Sequence, residues 1–581
     1  MNKPTISRGR GRSRVGLVLT LLLSLGLVAL GAWLILGEEG APPPVPTPAP
    51  PPPSASTTAG PAGTASSDAP APARVPEGAP PVPIEPVTGS PTLDAAAPYA
   101  SKDGVIQVDI SEYAGYSGLV VANGGLAPNP DSFFARTYGF QVRLSLSESE
   151  TWSALNNGRL AATATTADAL AVLGRQFDAV VPVQIGYSRG ADMVVVDRGI
   201  TSVNKLAGKV LAASQFNESE FFIRYLAGEA GVPVQVLRDT DARPGKDAVG
   251  LVFYEDAFLA CDAYAHELAR ERPRLNGCVG WTPRTDEVIE GSAGRAKMLV
   301  SNRNLLVVAD VLVVNKGFAE AQPDTVRGLV HGLLEGNRRL RSEPDASIAT
   351  VAAAFGWTEA ETRDELARVH LSNLPENAAF FAGTIDAAGS FGGIFQSSVL
   401  AYGPIIRNPT DPSRFVDTRW LEALAAEGYQ SDEKIAIAPI RTTTRAALEG
   451  DALLSKDIRF FFQPNDATLD PAASENVEYF ETIHRFLQIS PGSMVLLRGH
   501  VDDARVAEFR SQGGEQLVQS MALKAMQLSR DRAVAVADAL AARYPGLDRS
   551  RIEAVGRGWE EPASDDSEFN RRVEVQWFTL E

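Results

Sequence analysis

The chain has few cysteines, few histidines and no dense basic run after its first 14 residues. Acidic side chains outnumber basic ones over its 581 residues, which gives a net charge of −17. Nucleic-acid binding needs many Lys and Arg side chains on one face, so we expect no nucleic-acid partner. The five histidines show no paired metal-ligand spacing, and neither cysteine lies in a CxxC motif. No metal or other cofactor is therefore predicted.

Motifs of the common enzyme classes are also missing from the sequence. It contains neither a GxSxG elbow nor a P-loop. Glu359 and Glu361 fall on a predicted solvated helix, which is a poor setting for a general acid/base pair. We therefore predict a binding protein rather than an enzyme.

The two cysteines, Cys261 and Cys278, bracket a short segment. In an oxidising compartment they could close this segment as a disulfide. The alternative is a pair of buried free thiols.

One long hydrophobic run stands near the start of the chain. Residues 15–36 are 22 consecutive uncharged residues, and as a helix they span about 33 Å, the thickness of a bilayer core. The basic tail 1–14 precedes the run, and Glu38 and Glu39 follow it. The positive-inside rule then predicts a single-pass bacterial inner-membrane protein with a cytoplasmic N-terminus and the bulk of the chain in the periplasm. A cleaved signal peptide is the alternative, but the run is long for one and lacks a clean small-x-small site.

The segment 37–102 has no aromatic residue before Tyr99 and alternates proline with Ala, Ser, Thr and Gly. Such a composition cannot bury a core. The sequence predicts a disordered Pro-rich linker that reaches at most on the order of 190 Å when extended.

Residues 103–440 alternate short β-rich runs with helical stretches. The runs include GVIQVDI, GLVVAN, FQVRLSL, FDAVVPVQI, MVVVDRG and LLVVADVLVV. Helices are predicted over 218–230, over 323–340 and from Thr358, because their apolar residues recur at three- and four-residue steps. About 330 residues of this pattern predict a two-lobed α/β domain.

Several segments of this region resemble periplasmic solute-binding proteins of the nitrate/sulfonate/taurine ABC transporter family. They include GYSGLVVANGGL, VPVQIGYSRGADMVVV and SVNKLAGKVLAASQFNESEFFIRYLAGEAGV, and the resemblance covers about 103–429. It implies two lobes that close on a small solute, and an ABC permease as a candidate partner.

Polar residues after predicted strands are the candidates for the solute site: Thr165, Thr166, Ser188, Arg189 and Ser214. Arg189 suits a small anionic solute through its planar donor fork, and Ser214 precedes a helix N-terminus, where amides attract anions. The alternatives are that the threonines cap a helix, that Arg189 pairs with Asp192, and that Ser214 is a turn residue.

Acidic residues leave the charge of the ligand open. Glu255 and Asp256 follow VGLVFY, and they would favour a cationic or hydroxylated ligand instead.

After a connector at 441–455, residues 456–581 read as β-α-β-α-β-β, an α+β domain with helices on one face of a sheet. An aromatic strand is predicted up to Gln463, and a helix near Pro471. The motifs FQPNDATL, GHVD, LSRDRA and NRRVE occur in this order. They closely resemble the OmpA C-terminal-like domain, which binds the diaminopimelate stem peptide of peptidoglycan.

This resemblance assigns peptidoglycan recognition to Asp502 and Arg532, with Asn570 in support. Diaminopimelate is zwitterionic at its free end, so one carboxylate and one guanidinium are its natural partners. An internal Asp–Arg salt bridge is the alternative. Val501 and Ala525 replace a threonine and an asparagine of the family, and the stretch 503–528 predicts an enlarged loop beside the pocket.

Three functions follow from these patterns. The first is a membrane-anchored protein that holds peptidoglycan and binds a small solute with its middle domain. The second is a substrate-binding or sensing component of an ABC-type uptake system positioned at the cell wall. The third is a structural membrane-to-wall tether similar to MotB-type proteins, although residues 15–36 lack the ionisable residue that ion coupling needs.

Overall fold

The computed structural model of the chain describes residues 80–581, except 304, 386–388, 438–452, 457, 459, 461, 463–465, 490–492, 563–566 and 579–581. The predicted cytoplasmic tail, the predicted transmembrane helix and most of the connector lie outside the described residues. Among the residues that are described, no helix combines the length and apolar character that a bilayer span requires.

The middle region contains two six-stranded sheets. Its strands, in chain order, are β1 Val105–Ile110, β2 Gln141–Leu146, β3 Ala162–Thr166, β4 Ala179–Ser188, β5 Asp192–Asp197, β6 Val210–Ser214, β7 Val234–Val236, β8 Val249–Tyr254, β9 Gly277–Trp281, β10 Ala296–Ser301, β11 Ala309–Asn315 and β12 Val369–Leu371. The first sheet has the order β12-β4-β11-β3-β1-β2, and the second has the order β10-β5-β9-β6-β8-β7. Each sheet is the centre of one lobe.

Helices cover these sheets. Those described in the middle region are α1 Ser117–Asn123, α2 Phe133–Tyr138, α3 Trp152–Asn156, α4 Ala169–Leu173, α5 Glu218–Glu229, α6 Ala257–Leu268, α7 Arg284–Gly291, α8 Lys316–Ala321, α9 Pro323–Ser342, α10 Asp345–Phe355, α11 Glu359–Leu366, α12 Leu374–Ala382, α13 Phe391–Tyr402 and α14 Arg419–Ala426. Several begin at a local sequence signal. The Thr358 side chain accepts from the backbone N–H of Glu361, whose carboxylate accepts from the N–H of Thr358, a capping box that starts α11.

Between the described strands of the two sheets, the chain passes from one lobe to the other twice. It passes from β4 to β5 through residues 189–191 and returns from β10 to β11 through residues 302–308. In each lobe the central strands pair in parallel, β1 with β2 and β3, and β6 with β8 and β9. The sequence prediction of two α/β lobes agrees with this architecture.

The segment GLVVAN, predicted as a strand, is part of helix α1. Its valines favour a strand locally, but tertiary packing decides otherwise. Helix α1 packs on α9 at two glycines: a Cβ on Gly336 would overlap the backbone of Gly118, and one on Gly118 would lie 3.2 Å from the backbone N of Asn337. The two helices are therefore in backbone contact.

Residues 37–79 of the predicted disordered linker lie outside the described residues, and the segment that follows them is ordered. Backbone groups of residues 84–99 bind along both lobes, with Ile84 N donating to Phe253 O at 2.9 Å and Ala97 N to Asn156 O at 2.9 Å. The Gln215 amide both accepts from and donates to the backbone of Val87, at 2.9 and 3.0 Å. We call residues 84–99 the strap. Its extended backbone is ordered because acceptors and donors on the lobes satisfy it.

The C-terminal domain has a four-stranded sheet with the order β13-β16-β14-β15. Its elements are β13 Leu454–Lys456, α15 Ser474–Ile489, β14 Met494–Gly499, α16 Val506–Arg543, β15 Ile552–Gly556, α17 Ser567–Asn570 and β16 Val573–Phe578. The first strand lies before the aromatic run that was predicted to form it, and α15 begins three residues after Pro471. The predicted order of strands and helices otherwise holds, with the short α17 added.

Candidate functional site

A cavity lies between the two lobes, at the carboxyl ends of the parallel strands. The first lobe lines it with residues that follow β1 and β2, with the end of β3 and with the start of β11, and the second lobe contributes Asp192, Glu218 and Trp281. Ligands bind at this edge of open α/β sheets because loops with free polar groups converge there. The space open to the centres of water-sized molecules is about 40 Å³, so the cavity suits a compact ligand.

The cavity is acidic. Six carboxylate side chains line it, and the described lining contains no Lys, Arg or His: the six are Asp109, Glu148, Glu150, Asp192, Glu218 and Asp310. Tyr113, Tyr116 and Trp281 complete the wall with aromatic surface. In the described part of the chain no cluster of three or more His, Cys, Asp or Glu side chains is arranged to hold a metal ion.

Two of the acids are fixed beside the crossings between the lobes. The Asp310 carboxylate, on β11, accepts from the hydroxyls of Tyr113 and Tyr116, both at 3.3 Å. The Asp192 carboxylate, on β5, accepts from Asn302 Nδ2 at 3.0 Å, and Asn302 Oδ1 accepts from the backbone N–H of Gly190 at 2.7 Å. Asp192 and Asp310 are only 3% and 1% exposed, so these contacts replace most of their hydration.

Burial raises the pKa of these carboxyl groups, because a low-dielectric site disfavours their charged form. The pKa of Asp192 rises to about 6 and that of Glu148 to about 7. The pKa values of Asp310 and Glu218 lie well above their ordinary values, through burial first and neighbouring acids second. The cavity therefore holds less negative charge than six ionised carboxylates would carry.

The structure brings two of the five predicted solute-site residues into the cavity wall. Thr165 and Thr166, at the end of β3, line the cavity and are 6% and 2% exposed. They do not cap a helix: α4 starts at Ala169, and Asp168, at its N-cap position, makes no side-chain capping bond. Thr165 Oγ1 accepts from Trp152 Nε1 at 3.4 Å.

The other three candidates lie outside the cavity lining. Ser188 and Ser214 are the buried last residues of β4 and β6. The Arg189 guanidinium points elsewhere, since its Nε donates to the backbone oxygen of Arg303 at 2.8 Å. Burial, and then the charge of Arg303, lower the pKa of Arg189.

The N-terminus of α5, where Ser214 was expected to favour an anion, is already occupied by acceptors of the chain itself. The Asn217 side chain accepts from the backbone N–H of Ser219 at 3.1 Å. Glu220 Oε2 accepts from Phe216 N at 2.6 Å. Glu218 then places its own carboxylate in the cavity, so an incoming anion would meet like charge.

Sequence reasoning missed the carboxylates of the cavity. Glu148 and Glu150 stand in the run SESE directly after β2, and Asp109 lies near the end of β1. Acids at strand ends were a readable signal, but only the fold shows that they face one space. The acids that had been considered, Glu255 and Asp256, lie outside the described lining, and Asp256 instead caps α6 by accepting from Leu259 N at 2.7 Å.

The two cysteines are joined. Cys261 on α6 and Cys278 on β9 form a disulfide, with their Cα atoms 5.1 Å apart. It fixes α6 to β9, a central strand of the second sheet that ends at Trp281. The alternative of two free thiols is therefore excluded.

In the C-terminal domain, Asp502 follows β14 and Arg532 lies in α16. Arg571 Nη1 is 3.7 Å from Asp502 Oδ2. Arg532 is 1% exposed: its Nε donates to Asp466 O at 3.0 Å, its Nη1 to His500 O at 3.4 Å, and its guanidinium lies 5.3 Å from the centre of the Phe462 ring. The guanidinium is thus held rigidly.

The charges around this pocket shift the pKa of Arg532 in opposite directions. Burial first, and then the positive charge of Arg571, lower the pKa of Arg532, whereas Asp502 and Asp466 raise it. Asn570 is buried at the end of α17, directly before Arg571. Arg571, which the sequence reasoning did not single out, is therefore part of the pocket, and its place as the first arginine of NRRVE was the available signal.

The stretch 503–528 is not an enlarged loop. Helix α16 begins at Val506 and runs to Arg543, with non-helical backbone only at Gly513 and Gly514. Residues 515–528 are rich in helix-favouring Glu, Gln, Leu, Met, Ala and Lys. The extra residues therefore lengthen a helix instead of covering the pocket as a loop.

Glycines bring this helix close to the sheet. A Cβ on Gly499 would lie 2.7 Å from the carbonyl carbon of Ser529, and one on Gly556 would lie 2.7 Å from the backbone N of Arg530. Ser529 Oγ also accepts from the backbone N–H of Gly558 at 2.9 Å. Backbone contact between α16 and strands β14 and β15 thus sets the distance between Asp502 and Arg532.

Comparison with solved structures returns periplasmic binding proteins for the middle region. The aliphatic sulphonate binding protein SsuA of Escherichia coli is 16% identical, with 54% of this chain and 92% of that chain covered and a TM-score of 0.40. The alkanesulfonate-binding protein SsuA of Xanthomonas axonopodis pv. citri is 15% identical, with 55% and 99% covered and a TM-score of 0.41. A putative sulfonate-binding protein of Methylobacillus flagellatus is 13% identical, with 58% and 98% covered and a TM-score of 0.41. Sulfonate binding is stated of those proteins and not of this chain.

Comparison with family models concerns the C-terminal domain. Residues 461–576 match the OmpA family. The comparison with curated proteins found no match. The recognition made from the sequence is confirmed. Residues 461–576 form an OmpA family domain, which follows a two-lobed α/β domain whose structural neighbours are periplasmic binding proteins.

Proposed function

We propose that the chain is a single-pass inner-membrane protein of the bacterial envelope that holds peptidoglycan non-covalently and binds a small solute. Residues 15–36 serve as the anchor, and the chain from the linker onward lies in the periplasm. The uncharged run and its basic flank support this placement. The linker up to about residue 83 gives the folded domains reach toward the cell wall.

The observation that carries the wall-binding role is the OmpA family match over 461–576. Within this domain, the Asp502 carboxylate lies beside the Arg571 guanidinium. The Arg532 guanidinium is held by two backbone oxygen acceptors. A zwitterionic diaminopimelate end offers an ammonium to Asp502 and a carboxylate to Arg532. Because Arg571 already faces Asp502, ligand ammonium would displace or share this contact.

Solute binding by the middle domain is supported by the cavity between its lobes. The cavity lies at the crossings, so a ligand there touches both lobes at once. This arrangement suits binding coupled to closure. Both domains resemble binding proteins, and the proposal includes no chemical transformation.

Co-sedimentation of the purified full chain with diaminopimelate-type peptidoglycan tests the wall-binding role. We expect Asp502→Asn to lose one charged contact and to weaken binding about tenfold or more, since hydrogen bonds between charged groups contribute about 1.5–3 kcal/mol. Arg532→Lys keeps the charge but removes the planar fork, and it should weaken binding as well.

The matched control is Asp503→Asn, which removes an exposed carboxylate next to Asp502. It should leave binding unchanged. Wild-type chain that stays in the supernatant would refute wall binding, and equal losses in Asp502→Asn and Asp503→Asn would indicate a general charge effect rather than a site.

The second candidate is a substrate-binding or sensing component of an uptake system, in which wall binding only positions the middle domain. The cavity favours this alternative over a purely structural tether. Saturable binding of a small solute by the full chain, with an ABC permease found in its complexes, would support it. A tether without a solute would show wall binding and no ligand.

A further inference from the structure

We propose that the cavity between the lobes takes a small organic cation that carries a protonated amine. This inference rests on the proposed solute-binding function and names the chemical class of the solute. It rests on three features of the cavity wall: its carboxylates, its aromatic side chains and the buried indole N–H of Trp281, which has no acceptor among the described residues.

The charge of the wall is the first step. Six carboxylates line the cavity, and the described lining provides no basic side chain to oppose them. An anion placed there would face like charges, which is unfavourable. An ammonium group would instead donate charge-assisted hydrogen bonds to carboxylates of both lobes.

A separate observation, two buried polar atoms without partners on residues of the cavity wall, supports a ligand there. Trp281 lines the cavity and is 6% exposed, yet its indole N–H has no acceptor among the described residues. Glu148 Oε2 is likewise buried without a donor, although Glu148 Oε1 accepts from the backbone N–H of Glu112 at 2.8 Å. A buried polar atom without a partner is unfavourable, because it has lost its hydration without gaining a hydrogen bond. A ligand with an ammonium donor and a hydroxyl or carbonyl acceptor would satisfy both.

The aromatic wall favours an organic cation. Tyr113 and Tyr116 pack edge to face, with ring centres 5.1 Å apart, and their hydroxyls are committed to Asp310. Their rings and that of Trp281 are therefore left to meet CH groups and the diffuse charge of an alkylammonium.

The position of the acids links the cation to closure of the lobes. Asp192 belongs to the second lobe and Asp310 to the first, and each stands beside one of the two crossings. A cation between them neutralises acids on both sides. It also allows carboxyl groups with raised pKa values to ionise, so binding should release protons to the buffer.

Glu218→Gln is the decisive variant. Glu218 starts α5, lines the cavity and takes part in no ion pair among the described residues, so glutamine keeps its size and is not expected to unfold the domain. Glu255→Gln is the matched control, because Glu255 is an exposed acid of the same lobe outside the described lining.

Isothermal titration of the purified full chain should use putrescine and ethanolamine as cationic probes. The comparison probes are 1,4-butanediol, which replaces both ammonium groups of putrescine by hydroxyls, ethanesulfonate as an anion, and MgCl₂. We expect at least one organic cation to bind with proton release, Glu218→Gln to weaken it at least about tenfold, and Glu255→Gln to leave it unchanged.

The outcomes separate this inference from the function on which it rests. Binding of ethanesulfonate, butanediol or magnesium without any of the organic cations overturns the inference and leaves solute binding in place. Cation binding that Glu218→Gln does not weaken also overturns it, since the cation then binds elsewhere. If none of the probes binds while the same preparation still sediments with peptidoglycan, the inference fails and solute binding loses its support, whereas wall binding stands.

Discussion

Replacing Gly499 by alanine is expected to loosen the wall-binding domain at the contact that positions its two charged residues. The new Cβ would overlap the carbonyl oxygen of Ser529 and would lie 2.7 Å from its carbonyl carbon, whereas carbon atoms in contact normally stand about 3.5–4.0 Å apart. The obstacle is backbone on both sides, so no side-chain rotation relieves it. Helix α16 must move outward by about 1 Å, at a cost of about 1–3 kcal/mol.

Hydrogen exchange of the full chain, followed on peptides from β14 and α16, measures this cost locally. A loss of 1–3 kcal/mol corresponds to exchange about 5- to 150-fold faster in these two elements. Peptidoglycan co-sedimentation should weaken in parallel, because Arg532 moves with α16. The control is Gly546→Ala in the same domain, where the added Cβ meets nothing within 4 Å. Unchanged exchange in Gly499→Ala would refute the claim that backbone contact sets the geometry of the pocket.

Three further changes have defined outcomes. Burial raises the pKa of Asp168 to about 7 from 3.8, so the folded chain retains a proton that the unfolded chain releases, and this group makes stability fall as pH rises from about 4 through 7. The buried cavity carboxyl groups act in the same direction. Asp168→Asn should therefore make the fall shallower in thermal unfolding scans without abolishing it, and an unchanged slope would contradict the assignment. Cys261→Ala removes a disulfide that spans 17 positions and should lower the free energy of unfolding by about 3 kcal/mol, through the added entropy of the unfolded chain. Reductant should cause the same loss in the wild type and no further loss in the variant. Gln215→Ala removes two hydrogen bonds to Val87 and should speed protease cleavage within the strap several-fold, whereas equal cleavage rates would mean that the strap is held elsewhere.

Local patterns predicted much of the fold because the signal lies in neighbouring residues. The periodicity of 218–230 and 323–340 placed α5 and α9 within two residues at each end. Thr358 was read as the start of a helix, and the structure shows its capping box. The ordered motifs of the last 125 residues identified the OmpA family domain, since each motif occupies a fixed place in that fold.

Prediction failed where a distant contact overrides the local preference. The valines of GLVVAN favour a strand, but the close contact of Gly118 with α9 requires a helix. The strap reads as disordered because proline-rich chain has no core of its own, and the lobes supply its hydrogen-bond partners from residues such as Gln215 and Asn156. The stretch 503–528 reads as an insertion, and its helical continuation depends on how α16 packs.

The solute site shows the same division most clearly. The sequence by itself determined that polar residues follow the strands, that two cysteines could pair and that Asp502 and Arg532 belong to a recognisable motif set. Only the tertiary structure decided which side chains share a space, since the crossing of two lobes brings Asp192, Glu218 and Asp310 together from positions far apart in the chain. It also turned Arg189 toward Arg303 O. The charge of a cavity is a sum over residues that only folding makes neighbours.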